Sequence, residues 1–259
     1  MNSILKKIVA HKRDEIRNRG PVKYVAPEQP PRDFLGALCA GAQADCVSLI
    51  AEVKKASPSK GVIREDFEPV QIARSYQSGG AQCLSVLTDE HFFQGHLDFL
   101  KAIREVVDLP LLRKDFILDE SQVYEARMSG ADAVLLIAEC LEPERLKSLH
   151  DLIVELKMTP LVELYDASNI EAVLACEPKL VGVNNRDLNT FEVDLNHSLR
   201  IREMLPPGIA MVSESGIFTS EDIALMHQHN VDAVLVGESL MRQADVAIAI
   251  RELMRRASG

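Results

Sequence analysis

Eight short apolar runs that alternate with longer amphipathic segments constrain the fold of this chain more than any other feature. The runs cover residues 47–54, 82–87, 111–116, 133–138, 160–164, 180–184, 210–213 and 233–236. Strands that are apolar on both faces are typical of parallel sheets covered on both sides. The segments between the runs, such as 120–128 and 143–157, show helical spacing of their apolar residues. The sequence therefore predicts an α/β fold.

The number of runs favours one architecture within that class, because eight strand–helix units are what a (β/α)8 TIM barrel requires. A doubly wound open sheet stays open as the alternative, although no run is followed by its G-x-G-x-x-G turn. The tripeptides 80–82, 130–132 and 230–232 each precede an apolar run, at offsets of 50 and 100 residues. An offset of 50 residues equals about two units of ~25 residues, which supports the barrel.

Residues 1–46 differ from the rest of the chain. Apolar residues at helical spacing predict an amphipathic helix that ends near Gly20, and a proline-rich connector at 27–31 and a short helix at 34–38 follow. We therefore predict two domains, an N-terminal helical extension of residues 1–46 packed on a catalytic barrel of residues 47–259.

The composition excludes several functional classes. A net charge of −10 argues against a nucleic-acid or anionic-membrane partner, although a local pocket for an anionic substrate is compatible with it. Five cysteines without a C-x-x-C pair indicate a reducing compartment. The chain shows neither a signal-peptide pattern nor an apolar run near the ~18 residues of a membrane span. We expect a cytoplasmic protein without a metal site, because no H-E-x-x-H pattern occurs.

Charged side chains interrupt the first six runs only near their carboxyl ends. The residues at these positions are Glu52, Lys54, Lys114, Glu163, Asn184 and Arg186, with Ser57 and Lys60 in the loop after the first run. In a barrel these ends converge on the face that carries the active site. Because an unpaired buried charge is costly, the set predicts either structural ion pairs or groups for proton transfer. The structural pairs would be Glu52 with Lys114 and Glu163 with Lys54.

The last two runs end in small residues. Ser215 and Gly216 follow the seventh run, and Gly237 and Ser239 follow the eighth. Small residues let backbone N–H groups approach an anion closely, and phosphate sites after strands 7 and 8 recur in this fold. A phosphate site is therefore predicted here, with the carboxylate of Glu238 pointing away from it.

Five motifs together resemble the indole-3-glycerol-phosphate synthase family. They are EVKKASPSKG at 52–61, LRKDF at 112–116, LVE at 161–163, GVNNRDL at 182–188 and SESGI at 213–217. The resemblance covers nearly the whole chain, including Asp33 and Phe34 in the extension. It implies ring closure of 1-(2-carboxyphenylamino)-1-deoxyribulose 5-phosphate, with loss of CO₂ and water, in tryptophan biosynthesis. We accordingly expect a small phosphorylated substrate, no cofactor, and a monomer or weak homodimer.

The resemblance also implies roles for individual residues. Lys114 matches the general acid that protonates the substrate carbonyl oxygen, Glu163 the acid/base group of the dehydration step, and Glu52 a further acid/base group. The implied substrate-binding residues include Lys54 for the anionic substrate, Asn184 for a hydroxyl, and Arg186 to meet the carboxylate or brace the site. Those around the carboxylate or phosphate are Ser57, Ser215, Gly216, Gly237 and Ser239, and Lys60 is a further substrate-binding residue.

The expected chemistry depends on the charge state of Lys114. An ammonium near other cations and apolar walls has a lowered pKa, so we expect Lys114 to donate a proton near neutrality. Two alternatives stay open. One is a different phosphosugar barrel, either an isomerase or an aldolase-type enzyme that uses Lys114 as a Schiff-base amine. The other is a barrel that binds a phosphorylated ligand without catalysis.

Overall fold

Eight parallel strands close into a barrel in the computed structural model, which describes residues 3–42, 47–187 and 190–255. The strands are β1 (Ser48–Val53), β2 (Cys83–Leu87), β3 (Leu111–Lys114), β4 (Ala133–Ile137), β5 (Thr159–Leu164), β6 (Leu180–Asn184), β7 (Ala210–Glu214) and β8 (Ala233–Val236). Each strand pairs in parallel with the next along the chain, and β8 pairs with β1. The predicted (β/α)8 barrel is therefore confirmed, and the open sheet is excluded.

Helices cover the outside of the ring and its two ends. They are α1 (Ser3–Arg19), α2 (Phe34–Ala42), α3 (Pro69–Gly79), α4 (Glu90–Phe93), α5 (Leu97–Arg104), α6 (Glu120–Met128), α7 (Pro143–Glu155), α8 (Ile170–Leu174), α9 (Asn196–Met204), α10 (Ser220–Gln228), α11 (Glu238–Met241) and α12 (Val246–Leu253). The sequence pattern does not predict α3. Its buried side chains are few, chiefly Ile72, Ala73 and Tyr76, and they lie among polar residues. None of the helices in the described part of the chain has the length and hydropathy needed to cross a membrane.

A small hairpin follows β1. Residues Ala56–Ser57 and Gly61–Val62 form two antiparallel strands of two residues each. Gly61 has a φ of +65°, a conformation that glycine adopts without steric cost. The hairpin carries Ser57 to the carboxyl end of the barrel.

The repeated tripeptides mark the return from a helix to the next strand. Their first residues, Gly80, Gly130 and Asn230, have φ values of +100°, +87° and +56° and lie within two residues of the ends of α3, α6 and α10. Left-handed residues of this kind commonly end helices, and glycine and asparagine tolerate them best. The repeated tripeptides therefore mark three helices that end in a similar way.

The third residue of each tripeptide is hydrogen-bonded to the start of the preceding strand. Its side chain accepts a hydrogen bond from a backbone N–H of that strand, at 2.7 to 2.8 Å. The three bonds run from Leu49 to Gln82, from Leu111 to Asp132 and from Met211 to Asp232. These contacts lie at the amino-terminal end of the barrel.

The N-terminal helices lie at opposite ends of the barrel. Leu5 and Ile8 of α1 are buried in the same cluster as Ile50, Leu112 and Leu161, which fill the barrel interior. Helix α2 contacts the starts of the strands, because the Ser48 hydroxyl and the Cys83 thiol donate to backbone carbonyls of α2. Residues 43–46 lie outside the described part, and the division into domains at residue 46 stays a prediction.

Candidate active site

One cavity at the carboxyl ends of the strands brings together most of the residues that the sequence singles out. Those that line it are Glu52, Lys54, Ser57, Lys114, Glu163, Asn184, Arg186, Ser215, Gly216, Gly237 and Ser239. Lys60 does not line this cavity: its side chain is exposed, and its Nζ lies 4.0 Å from Oε1 of Glu238. The convergence follows from the barrel, because all eight strands end on one face.

The inward direction of the charged side chains follows from strand alternation. Each inward charge lies two residues after an apolar residue of the inner cluster, and side chains two apart share a face. The pairs are Ile50 with Glu52, Leu112 with Lys114, Leu161 with Glu163 and Val212 with Glu214. The interior of the barrel is thus apolar in its middle and ionic at the carboxyl ends of the strands.

Lys114 lies between two carboxylates at the centre of this ionic layer. Its Nζ is 2.7 Å from Oε2 of Glu163 and 3.0 Å from Oε2 of Glu214. Glu52 forms its salt bridge with Lys54 instead. The structural pairs considered from the sequence, Glu52 with Lys114 and Glu163 with Lys54, are therefore wrong, because the closest opposite charges come from other strands.

The expectation of a lowered pKa for Lys114 is also wrong. Burial acts to lower the pKa of this ammonium, but the carboxylates of Glu163, Glu214 and Glu52 outweigh burial and raise the pKa above its ordinary value. Lys114 is therefore an ammonium at neutral pH and has a proton to give, but the raised pKa makes it a weaker acid than the sequence suggested. A Schiff-base amine must be neutral to attack a carbonyl, so this charge state disfavours the aldolase-type alternative.

Glu214 is a site residue that the sequence reading missed. Its side chain is 2% exposed, and burial together with repulsion from Glu163 raises the pKa of its carboxyl to about 8, against the pull of Lys114. Burial would also raise the pKa of Glu163, but Lys114 and the Asn184 amide, 3.2 Å away, lower it. At neutral pH the site therefore holds an ammonium, a carboxylate and a carboxylic acid side by side.

The loop after β7 has a special backbone conformation. Ser215 and Gly216 have φ values of +68° and +87° in succession. A Cβ on Gly216 would lie 2.3 Å from Cγ1 of Val193, so only glycine fits at this position. The left-handed turn places the small residues of the loop along the cavity wall.

A buried amide holds this loop against β6. The Asn185 side chain donates to the Ser213 hydroxyl at 2.8 Å and to the Ser215 carbonyl at 3.1 Å, and it accepts from the N–H and hydroxyl of Ser198. Because Asn185 is 1% exposed and every polar atom of its amide is bonded, the network is rigid. The sequence reading did not single out Asn185.

Glu238 lies at the edge of the same cavity. Its Oε1 is 3.1 Å from Arg242 and its Oε2 is 3.7 Å from Arg186. The carboxylate is thus turned toward guanidinium groups. Gly237 and Ser239, on either side of it, line the cavity, and the Ser239 hydroxyl donates to the Ile217 carbonyl at 2.9 Å.

The remaining wall of the cavity is apolar. Ile4, Leu5 and Ile8 of α1 line it together with Phe93 and Phe116, whose ring centroids are 6.1 Å apart. The cavity therefore offers an apolar, partly aromatic wall next to a charged centre, which suits a ligand with an aromatic ring and anionic groups.

Helix α1 is tied to this wall by a buried lysine. The Lys12 side chain is 1% exposed, and its Nζ lies 3.0 Å from carboxylate oxygens of Asp89 and of Asp115 and 2.8 Å from one of Glu15. Asp115 directly follows Lys114 in the chain and also pairs with Arg113. The cluster therefore links α1 to the end of β3.

The barrel itself is similar to solved structures of very different sequence. A crystal structure of KGPDC from Streptococcus mutans matches with a TM-score of 0.61 and 16% sequence identity, over 80% of this chain and 95% of that chain. A second crystal structure of KGPDC from the same organism, determined as a ligand complex, has a TM-score of 0.60 at 15% identity over the same shares of the two chains. At these identities the likeness supports the fold alone.

Sequence comparison is more specific. The indole-3-glycerol phosphate synthase of Rhodopirellula baltica is 55% identical over 223 residues, which cover 86% of this chain and 85% of the relative. That of Polaromonas naphthalenivorans is 49% identical over 260 residues, covering 98% and 99%. The family model described as indole-3-glycerol phosphate synthase matches residues 5–253. Because the family model matches nearly the whole length and these relatives are 49–55% identical to it, the chain belongs to the indole-3-glycerol phosphate synthase family.

Proposed function

We propose that Lys114, Glu163 and Glu214 carry the reaction of this family, in which 1-(2-carboxyphenylamino)-1-deoxyribulose 5-phosphate closes its indole ring with loss of CO₂ and water. The chain is accordingly a decarboxylating lyase of tryptophan biosynthesis. One observation carries the assignment of roles: the Lys114 ammonium lies within 3.0 Å of both carboxyl groups inside the cavity. A proton donor and a proton acceptor are thereby available at one point, which a condensation followed by a dehydration requires.

In the first step Lys114 acts as the general acid. The aromatic carbon that bears the carboxylate attacks the carbonyl carbon, and the carbonyl oxygen takes a proton from the ammonium as the new carbon–carbon bond forms. The carbon–carboxylate bond then breaks, and its electron pair restores the aromatic ring as CO₂ leaves. A fixed ammonium in a cavity shielded from water stabilises the developing negative charge on the oxygen without a cofactor.

In the second step the new hydroxyl group leaves as water. Glu214 holds a proton at neutral pH and gives it to the departing hydroxyl. Glu163, ionised at this pH because Lys114 and Asn184 lower its pKa, removes a proton from the neighbouring methylene carbon, and the indole double bond forms. Glu52 is a third acid/base candidate, and its salt bridge with Lys54 also supports a role in orienting that lysine.

The walls of the cavity support a matching orientation of the substrate. We place the phosphate between the loops after β7 and β8, near Ser215, Gly216, Gly237 and Ser239, because these small residues line one side of the cavity. The aromatic ring then lies against the apolar wall that α1 contributes. Lys54, Ser57, Asn184 and Arg186 surround the remaining polar groups of the substrate, and Lys60 lies at the rim.

The state of the protein in the cell belongs to the same proposal. We propose that the protein is a monomer or a weak homodimer. A reducing, cytoplasmic location is supported by four cysteines that are free in the described residues: Cys39, Cys83, Cys140 and Cys176.

Indole fluorescence after mixing the protein with the substrate tests the assignment. We expect a rise with the wild type, a kcat lowered by roughly 10²- to 10⁴-fold in Lys114→Ala, and a loss of roughly 10²-fold in Glu163→Gln. Lys101→Ala is the matched control, because Lys101 is an exposed lysine on α5 that pairs only locally with Asp98. No rise with a folded wild type would refute the proposed reaction. A borohydride-trapped adduct on Lys114 would instead support the Schiff-base alternative.

A further inference from the structure

A glycine occupies the inner face of β6 where the barrel interior becomes ionic. Gly182 is the third residue of this five-residue strand and pairs with Glu163 of β5 and Val212 of β7. Glycine inside a strand costs conformational entropy and often marks a place where another group approaches the backbone closely. Its φ lies outside the left-handed region, so its backbone conformation does not require glycine.

The approaching group is the carboxyl of Glu214. A Cβ placed on Gly182 would lie 2.4 Å from Oε1 of Glu214 and 3.3 Å from Cδ1 of Leu161. Ordinary contact begins at 3.4 Å, so any residue larger than glycine would displace that carboxyl oxygen by about 1 Å. The Cδ1 atom of Leu161 would have to move by only about 0.1 Å. The absence of a side chain at Gly182 therefore leaves space mainly for the carboxyl group of Glu214.

Glu214 has little freedom to move within its present surroundings. Its Oε2 is 3.0 Å from Nζ of Lys114, whereas its Oε1 is buried and accepts no hydrogen bond from the described residues. The carboxyl groups of Glu214 and Glu163 also share a hydrogen bond. The oxygen Oε1 of Glu214 stays beside Gly182 because the space there is open and because the Lys114 contact fixes the other oxygen.

We propose that Gly182 is a positioning residue for the reaction, because its missing Cβ admits the Glu214 carboxyl to the place between Lys114 and Glu163. The inference rests on the proposed function only in that Glu214 is taken to transfer a proton. Gly182 itself touches no reacting atom in this proposal. It acts through the position of Glu214, and a misplacement of a catalytic group by 1 Å costs roughly 10²-fold in rate.

The test is Gly182→Ala in a double-mutant cycle with Glu214→Gln, measured by indole fluorescence. We expect Gly182→Ala to lower kcat by roughly 10²-fold with a KM within about threefold of the wild type. In the Glu214→Gln background the same substitution is expected to lower kcat by less than about threefold, because the group it displaces no longer transfers a proton. Equal losses in both backgrounds would overturn the proposal, since they would indicate a general distortion of β6.

The pH profile adds a readout that a purely structural role would not move. A Glu214 carboxyl pushed away from Glu163 loses part of the repulsion that raises its pKa to about 8. We therefore expect the alkaline limb of kcat/KM to shift to lower pH in Gly182→Ala. An alkaline limb at the wild-type position would contradict the proposal.

Gly79→Ala provides the matched control. Gly79 is another crowded glycine, whose Cβ would lie 3.1 Å from the Cα of Ala247; it ends α3, packs against α12 and does not line the cavity. We expect Gly79→Ala to lower the unfolding temperature and to leave kcat and the pH profile unchanged. A similar loss of kcat in both glycine variants would show that crowding alone accounts for the effect.

Two further outcomes separate this inference from the proposed function. If Glu214→Gln keeps the wild-type kcat, the role of Glu214 fails, and the positioning argument fails with it. If Glu214→Gln is impaired and Gly182→Ala is not, the role of Glu214 stands and the positioning role alone is refuted. Should Gly182→Ala not fold, Gly182→Ala/Glu214→Ala decides the matter: recovery of folding supports the clash with Glu214, and continued failure overturns it.

Discussion

Replacing Lys12 by methionine tests how strongly the N-terminal helix is tied to the barrel. Methionine keeps the length and apolar stem of the side chain but removes the charge. Two buried carboxylates, Asp89 and Asp115, then lose their ammonium partner at 3.0 Å. Breaking a buried ion pair by removing one partner typically costs about 3–5 kcal/mol.

The structure places Lys12→Met near the lower end of that range. Asp115 keeps its salt bridge to Arg113 at 3.1 Å and its hydrogen bond from Thr88 at 2.6 Å, and Asp89 keeps the N–H of Phe92 at 2.8 Å. We therefore expect the free energy of unfolding to fall by about 3 kcal/mol. For a chain of this size this corresponds to a decrease of roughly 6–12 °C in Tm.

The effect also has a definite pH dependence. Despite burial, Arg113, Lys12 and Thr88 lower the pKa of Asp115 from 3.8 to about 2. A carboxyl with a lowered folded-state pKa stabilises the fold above its unfolded pKa, and this contribution is lost as the pH falls toward about 2. Without Lys12 that pKa rises, so acidification costs the variant less. The difference in stability between wild type and variant should therefore shrink as the pH falls from about 4 toward about 2.

Urea unfolding followed by circular dichroism, near neutral pH and below about pH 4, measures both quantities. Lys7→Met is the matched control, because Lys7 lies on the exposed face of the same helix and its replacement should change stability by less than about 0.5 kcal/mol. The reasoning is refuted if Lys12→Met costs no more than Lys7→Met, or if the difference between wild type and Lys12→Met grows as the pH is lowered.

Two other predictions concern the cavity. Above about pH 8 the wild-type kcat/KM should decline as Glu214 loses the proton that burial and Glu163 retain on it. This alkaline limb should be absent from Glu214→Gln, which we expect to be roughly 10²-fold slower, and a limb that persists there would assign it to another group. Asn185→Ala removes four hydrogen bonds beneath the loop after β7. We expect it to lower the free energy of unfolding by about 1–3 kcal/mol and to raise the KM several-fold, because the Ser215 carbonyl loses its donor. Urea titration and initial rates measure the two effects, and an unchanged KM would contradict the role given to the loop.

The strands were predictable because their signal is local. Every residue of β1 is buried, and all but Ser48 and Glu52 are apolar, so the strand is recognisable regardless of what covers it. Helix α3 gives no such signal, since polar residues surround its few buried ones. Tyr76, the largest of these, reaches inward and donates its hydroxyl to the Glu52 carbonyl at 3.1 Å. A contact between segments so far apart in sequence cannot be read from periodicity.

The site was predictable to the extent that alternation alone defines it. Alternation identifies Lys114 and Glu163 as inward charges, and it would also have identified Glu214, had the predicted strand not ended at Ser213. The ion pairs and the raised pKa of Lys114 depend on distances between different strands, which spacing does not supply. A lysine on an amphipathic helix is normally solvent-exposed, so nothing local marks Lys12 as buried.

The side-chain acceptors at the amino-terminal end of the barrel have a consequence for how such a chain can change. Gln82 ties β2 to β1, Asp132 ties β4 to β3, and Asp232 ties β8 to β7. Each tie joins strands that are neighbours along the chain, so a pair of strands and the helix between them can assemble before the ring closes. The ties are also remote from the cavity. Substitutions that redesign the catalytic end therefore leave these modules intact, and stability and chemistry can be altered separately in this barrel.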